Sequence, residues 1–265
     1  MTLRELTCRL RAAGIPEAGY EARRLLGHFT GCTPAALLAE PEKDYPGAPP
    51  EEAVALREKR FPLQYIFGKA GFYGEEFAVS PACLIPRADT ELLVERAIAL
   101  LPPGAVFTDL GTGSGCIALS VLKHRPDCRA FAVDISGPAL EIARKNAAAL
   151  GVAARVTFCM ADMCAPLPAG VARDFILSNP PYIETEVLPS LAPELAAEPR
   201  GALDGGADGM DFYRAVLANA HPRFALFEIG FDQGKRMRAL GEAQGYRTAI
   251  EKDFGGNDRL AVLLA

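Results

Sequence analysis

An α/β fold built around a Rossmann-like parallel sheet is predicted by three stretches of the sequence. In residues 106–124, VFTDLGTGSGCIALSVLKH, a short apolar strand enters the turn Gly111-Thr112-Gly113-Ser114-Gly115 and continues into apolar residues at helical spacing. Residues 129–133 read as a second strand, closed by Asp134, 23 residues beyond Gly111. Residues 174–178 read as a later strand running into Asn179-Pro180-Pro181-Tyr182. Each stretch puts its polar residues just after a strand, where open α/β sheets bind their ligands. Glycines at alternate positions let the backbone approach a ligand in a way that a Cβ would prevent.

Length and composition bound the rest. At 265 residues the chain can bury one large core with a smaller satellite. Half of the residues are hydrophobic, which is a globular composition. The formal net charge of -5 and the lack of a basic run weigh against a protein living on nucleic acid. Seven cysteines without a CxxC spacing suggest reduced thiols and a cytoplasmic location, and three scattered histidines give no metal site. No signal-type run opens the chain and no apolar span is long enough for a membrane helix, so no membrane association is expected.

In order, residues 1–61 are predicted to be helical. Leu3, Leu6, Leu10 and Ala13 share one helix face, and Ala22, Leu25, Leu26 and Phe29 share a second. Thr33-Pro34 opens a third helix and Pro50 a fourth. This region either stabilises the rest or recognises a substrate. Residues 65–67 and 77–79 are expected to form a β-hairpin, with glycines 68, 71 and 74 at its turns. Asp89 or Thr90 is expected to cap a helix over residues 92–101, which delivers Arg87, Asp89 and Glu91 close to the glycine strand. A helix follows Asp134, and a third strand over 156–160 leads to Asp162 and Met163. Residues 189–211 form a long irregular segment, read as a functional loop. A helix, a fifth strand ending at Glu228, another helix and an antiparallel terminal pair complete the chain.

The chemistry at these strand ends suits an adenosine ligand. Asp134 can accept hydrogen bonds from ribose hydroxyls, whether of a nicotinamide dinucleotide or of S-adenosylmethionine. The third glycine of the dinucleotide fingerprint is replaced by Cys116, which argues against a pyrophosphate. Asp162 can either accept from an adenine amine or cap a turn. The two prolines after Asn179 end the strand ladder and hold the backbone extended. A planar NH2 group can then donate to the Asn179 side-chain oxygen and to the Pro180 carbonyl, with Tyr182 as a flat face.

The chain resembles the release-factor glutamine methyltransferases. The matching residues are Pro62-Leu63-Gln64-Tyr65-Ile66, Ile85-Pro86-Arg87, Asp89-Thr90-Glu91, the run from Asp109 to Ala118, Asn179-Pro180-Pro181-Tyr182-Ile183, Glu228-Ile229-Gly230 and Asp258-Arg259. The resemblance implies a seven-stranded methyltransferase sheet with its last strand antiparallel (85–265), a small helical substrate-recognition domain (1–70) and a connecting β-hairpin (71–84). It implies S-adenosylmethionine as cofactor, contacted by Gly111, Thr112, Gly113, Ser114, Gly115, Asp134, Asp162, Met163 and Asn179. Asn179, Pro180, Pro181 and Tyr182 would meet the substrate, with Asn179, Pro180 and Tyr182 catalytic and no metal. The partner implied is a class 1 peptide-chain release factor, methylated on the glutamine of its Gly-Gly-Gln loop. A monomer with no stable nucleic-acid partner is expected. Asn-Pro-Pro-Tyr also occurs in enzymes that methylate exocyclic amines of DNA or RNA, which is the alternative reading. Three positions depart from the family pattern: Ala88, Met163 and the short crossover 217–224, which lacks a glycine turn before the fifth strand.

Overall fold

The computed structural model describes residues 1–265. The chain divides into two compact units, one formed by residues 1–68 with 192–197, the other by 69–191 with 198–265.

The first unit is helical. Its elements are α1 (Leu3–Ala12), α2 (Ala18–Thr30), α3 (Pro34–Ala39), α4 (Glu51–Glu58) and α5 (Leu63–Phe67). Thr2 starts α1 with a capping box: its side chain accepts from the Glu5 N–H while the Glu5 carboxylate accepts from the Thr2 N–H. Leu6, Leu10, Leu25, Leu26, Leu37 and Val54 are fully buried and form the core. Arg57 is buried too, and such a charge is retained only with partners. It pairs with Glu21 and Glu194, and Arg60 also grips Glu194 at 2.7 Å. This is how the 3-10 turn Pro193–Ala197 comes to belong to the unit.

Residues 65–67 are not a strand. Pro62 starts and Gly68, left-handed at φ 69°, ends the single-turn helix α5, which adds Leu63, Ile66 and Phe67 to the helical core. Five residues are too few to display a helical period, so the β-favouring Tyr-Ile-Phe run misleads a reading by pattern. The hairpin is instead β1 (Lys69–Phe72) against β2 (Glu75–Ala78), in register Phe72 with Glu75. Its two turn residues, Tyr73 and Gly74, have φ of 49° and 77°. Two positive values in a two-residue loop match the right-handed strand twist. The hairpin thus occupies 69–78 and not 71–84.

The second unit contains a seven-stranded sheet. Its strands are β3 (Val106–Leu110), β4 (Arg129–Asp134), β5 (Val156–Met160), β6 (Phe175–Ser178), β7 (Phe224–Glu228), β8 (Arg247–Lys252) and β9 (Asp258–Leu264). They lie in the order β5-β4-β3-β6-β7-β9-β8. Strands β3 to β7 pair in parallel, while β9 inserts antiparallel to both β7 and β8. The helices are α6 (Glu91–Leu100), α7 (Cys116–His124), α8 (Gly137–Ala149), α9 (Asp211–Ala220) and α10 (Gly234–Ala243). Side chains alternate between the faces: Leu177 and Leu226 join one core, whereas Ile176, Ala225 and Phe227 join the other.

The strand order turns back between β3 and β6. A crevice opens outside the carboxyl ends of the strands at such a switch point, here between the glycine turn and Asn179. The short crossover from α9 to β7 closes without glycine. His221 takes the left-handed conformation at φ 46° and ψ 56°, and Pro222 and Arg223 lead directly into β7. No helix is long and apolar enough to cross a membrane.

Candidate functional site

The crevice holds a cavity of about 400 Å³, within the size range of small-molecule sites. One wall is the glycine turn. The N–H groups of Gly111 and Thr112 bond to the Val133 carbonyl at 2.9 and 3.0 Å, which keeps the turn against the end of β4. Asp134 receives the Gly113 N–H on one oxygen and the Ser136 N–H on the other, both at 2.9 Å. Each oxygen keeps a further lone pair for an incoming hydroxyl.

Gly111, at φ 69°, needs its missing side chain, because a Cβ would lie 2.6 Å from the Met163 methyl. Met163 therefore packs directly over the turn. A thioether in this place offers a polarizable apolar surface. Beneath the turn, buried Asp109 accepts from Thr112 Oγ1 at 2.6 Å and from the Ala118 N–H at 3.2 Å, both on one oxygen. Burial pushes its carboxyl up to about 7. Asn146 of α8 ties the hairpin to the turn, exchanging bonds with Ala78 and donating to the Ser114 carbonyl at 2.8 Å.

Gly111, Thr112, Gly113, Ser114, Asp134, Asp162, Met163 and Asn179 all line the cavity. Gly115 does not: left-handed at φ 84°, it starts α7, where a Cβ would strike Leu119 and Ala143. Asp162 Oδ1 also accepts from the Cys164 N–H at 2.8 Å, so it shapes its own turn while facing the cavity.

Of Arg87, Asp89 and Glu91, only Arg87 reaches the cavity. Asp89 pairs with Arg259 at 3.3 Å, and Glu91 accepts from the Tyr73 N–H at 2.8 Å. Arg87 pairs with Glu198, whose other oxygen receives the Ile85 N–H at 3.1 Å. This buried carboxylate anchors the long loop at the point where Pro199, Gly201 and Ala202 join the cavity wall.

The opposite wall is made by side chains. Thr90 stands at the N-cap of α6, after a 3-10 turn, Ala88–Thr90, but makes no side-chain cap bond, because its hydroxyl points elsewhere. It donates to Glu228 Oε2 at 2.6 Å and accepts from Asn179 Nδ2 at 3.1 Å. The Asn179 amide is thus half engaged and not wholly free, as its strand-end position suggests. Its Oδ1 and the Pro180 carbonyl accept nothing from the chain.

Pro181 lines the cavity, whereas Pro180 and Tyr182 do not. The Tyr182 hydroxyl donates to Glu228 Oε1 at 3.2 Å, so its ring is committed to the wall behind the site. Burial and the neighbouring Glu228 raise its phenol above the ordinary value. Gln233, also buried, locks the backbone beneath. Its Nε2 donates to the carbonyls of Tyr182 at 3.0 Å and Gly209 at 3.1 Å, while its Oε1 accepts from the Gly230 N–H at 2.8 Å. Thr90, Glu228 and Gln233 are the residues that reading by motif does not assign. Thr90 and Glu228 lie within matched stretches and Gln233 in none, but the bonding of each is set by a segment distant in the chain.

The cavity therefore joins a backbone cradle with a paired hydroxyl acceptor, Asp134, to an outward amide oxygen, Asn179. Those donors and acceptors fit an adenosine moiety at the cradle and an NH2 group at Asn179. Residues 88–208 match the methyltransferase small domain, and residues 2–68 match the PrmC N-terminal domain. The fold is similar to the hMettl16 catalytic domain in complex with a MAT2A 3′UTR hairpin, at TM-score 0.57 and 14% identity, covering 81% of this chain and 82% of that one. It is also similar to the E. cuniculi Mtq2–Trm112 complex responsible for methylation of the eRF1 translation termination factor, at TM-score 0.50 and 20% identity, covering 69% and 98%. These likenesses are of fold. In sequence, the release factor glutamine methyltransferase of Moorella thermoacetica is 44% identical, with 98% of this chain and 97% of that protein covered. That of Cereibacter sphaeroides is 45% identical, with 97% and 95% covered. With both units matched and the relatives spanned almost end to end, the chain belongs to the release factor glutamine methyltransferase family of S-adenosylmethionine-dependent enzymes.

Proposed function

We infer that the protein transfers a methyl group from S-adenosylmethionine to the side-chain amide nitrogen of the glutamine in the Gly-Gly-Gln loop of class 1 peptide-chain release factors. The observation that carries this reading is Asn179: its NH2 is held by Thr90 and its oxygen is left to accept, beside an unpaired Pro180 carbonyl. The cofactor supplies a methyl group already activated by a positively charged sulfur. Gly111 to Ser114, Asp134, Asp162 and Met163 would hold its adenosine end against the glycine wall.

An amide nitrogen is a weak nucleophile because its lone pair is shared with the carbonyl. Two acceptors, Asn179 Oδ1 and the Pro180 carbonyl, orient the NH2 with its lone pair towards the methyl group. As positive charge grows on nitrogen, acceptors fixed in advance would stabilise it without reorganisation. Tyr182 serves from behind by bonding Glu228, and Pro181 contributes to the cavity surface. The helical unit, residues 1–68 with 192–197, takes the role of recognising the release factor. All seven cysteines are free thiols, which supports a reducing, cytoplasmic setting.

The test is methyl transfer from labelled S-adenosylmethionine to a purified class 1 release factor, with DNA and RNA as parallel substrates. Label is expected on the release factor and is lost when the glutamine of its loop is replaced. Label on nucleic acid with none on the release factor would establish the alternative, methylation of an exocyclic amine.

A further inference from the structure

Glu228 ends β7 with its carboxylate buried and both oxygens occupied by groups from other segments. Thr90, before α6, donates to Oε2 at 2.6 Å, and Tyr182, after β6, donates to Oε1 at 3.2 Å. Tyr213 of α9 donates to the Glu228 backbone carbonyl at 2.7 Å. Arg259 of β9 is the facing cation, but its guanidinium is drawn to Asp89 at 3.3 Å and Asp253 at 3.2 Å. The Glu228 carboxylate itself accepts from hydroxyls only.

The direction of these bonds has a consequence. An ionised carboxylate accepts and cannot donate, so Thr90 gives its single hydrogen to Glu228. Only lone pairs then remain on Thr90 Oγ1, and Asn179 must turn its NH2 to them. The amide oxygen is thereby directed away from Thr90, available to a substrate NH2. If the Thr90 hydrogen were reversed, the amide would turn over and offer its own NH2 to the substrate, donor against donor. We propose that Glu228 and Thr90 are positioning residues that set the orientation of the Asn179 amide, and with it the acceptor that aligns the substrate nitrogen. This rests on the reading of Asn179 as the acceptor for a substrate amide.

The relay is sensitive to the charge on Glu228. Burial pushes that carboxyl up to about 7; Thr90, Arg259 and Tyr182 favour its ionised form and Asp89 opposes it. A protonated Glu228 becomes a donor to Thr90 and releases the hydroxyl to point the other way. Methyl transfer should therefore fall as pH drops through about 7.

The experiment is single-turnover methyl transfer to release factor by the full-length protein, with melts and S-adenosylhomocysteine binding for each variant. Thr90→Val keeps the shape and removes the relay; its rate should fall about 10- to 100-fold, the scale of one misdirected contact in a site, with cofactor affinity within about twofold. Thr90→Ser should restore the rate to within about threefold of the parent. In an Asn179→Ala background, Thr90→Val should change the rate by less than about twofold, because residues acting through one another are not additive. The acid limb near neutral pH should vanish in Glu228→Gln. The Asn179 side-chain amide protons, followed by NMR without substrate, should be protected from exchange in the parent and exposed in Thr90→Val. A Thr90→Val rate equal to the parent, an equal loss in both backgrounds, an acid limb that survives Glu228→Gln, or unchanged amide protection would each overturn the proposal. A parent that leaves the release factor unlabelled while the amide protection behaves as described would overturn the substrate reading and leave the relay standing.

Discussion

Along the glycine wall of the cavity the defining contacts are short in sequence: Thr112 to Asp109 spans 3 residues, and Gly113 to Asp134 spans 21. Across the cavity, Asn179 reaches Thr90 over 89 residues and Thr90 reaches Glu228 over 138. The first wall presents mainly backbone, shaped by residues with no side chain. The second presents one amide whose direction depends on a hydroxyl and a carboxylate from elsewhere. The glycine wall is thus vulnerable to added atoms, and the Asn179 wall to removed ones. In the proposed function their duties differ too: the first would hold the cofactor and the second would direct the reaction.

Breaking the second wall at its tip should give the largest effect. Asn179→Ala removes an aligned acceptor, which costs on the order of 3 kcal/mol, or about 10²–10³ in rate. The variant should fold and bind S-adenosylhomocysteine nearly as the parent does, yet transfer methyl at least about a hundredfold more slowly in a single-turnover assay. A rate within threefold of the parent would show that the two walls do not divide binding from chemistry.

Breaking the first wall should read out in affinity. Asp134→Ala removes the acceptor of the Gly113 N–H together with the hydroxyl acceptor for the ribose. Calorimetry should show S-adenosylhomocysteine binding weakened by about 1.5–3 kcal/mol, the scale of hydrogen bonds to a charged group. Tighter binding of NAD than of S-adenosylhomocysteine would contradict the ligand assigned to this wall.

Each wall also conceals a buried carboxyl, Asp109 under the turn and Glu228 behind Asn179, and burial raises both to about 7. In the unfolded chain they titrate near 4, so between about pH 4 and 7 the folded protein holds more protons than the unfolded one. Stability should then decline as pH rises through that window and level off above it. Denaturant midpoints measured from pH 5 to 8 should show this decline, at about 1.4 kcal/mol per pH unit for each carboxyl until pH reaches about 7. Asp109→Asn should shrink it. A profile that rises over the same range would exclude both carboxyls as its cause.

The smallest effect belongs to the crossover that feeds the second wall. His221 is left-handed at φ 46°, a conformation costing an L-residue roughly 1–2 kcal/mol, partly offset by the greater entropy glycine loses on folding. His221→Gly should therefore stabilise the protein by up to about 1 kcal/mol, visible as a raised denaturant midpoint, with methyl transfer unchanged. A lowered midpoint would mean that the imidazole itself holds the crossover.

The sequence was most legible where structure is local. The strand–turn–helix at 106–124 could be read because glycine spacing and apolar period are backbone requirements, and the strands before Asp134, Asp162 and Asn179 because apolar runs ended at turn-forming residues. Local reading failed at 65–67, where a one-turn helix is too short to show its period. It failed again at Thr90, which looks like a helix cap but whose hydroxyl is taken by Glu228. Tyr182 looks like a ligand-facing ring in a motif, yet its hydroxyl is bound behind the site.

By itself, then, the sequence determined the glycine cradle, the acidic residue beside it and the proline-locked Asn179, since φ preferences, side-chain period and the missing proline N–H act within a few residues. Only the tertiary structure decided which way the Asn179 amide faces, that Arg87 and not Asp89 or Glu91 reaches the cavity, and that Gln233 fixes the Tyr182 backbone. Those outcomes depend on which strand ends become neighbours in the order β3-β6-β7-β9. A hydrogen bond between residues 138 apart leaves no trace in the spacing of either one.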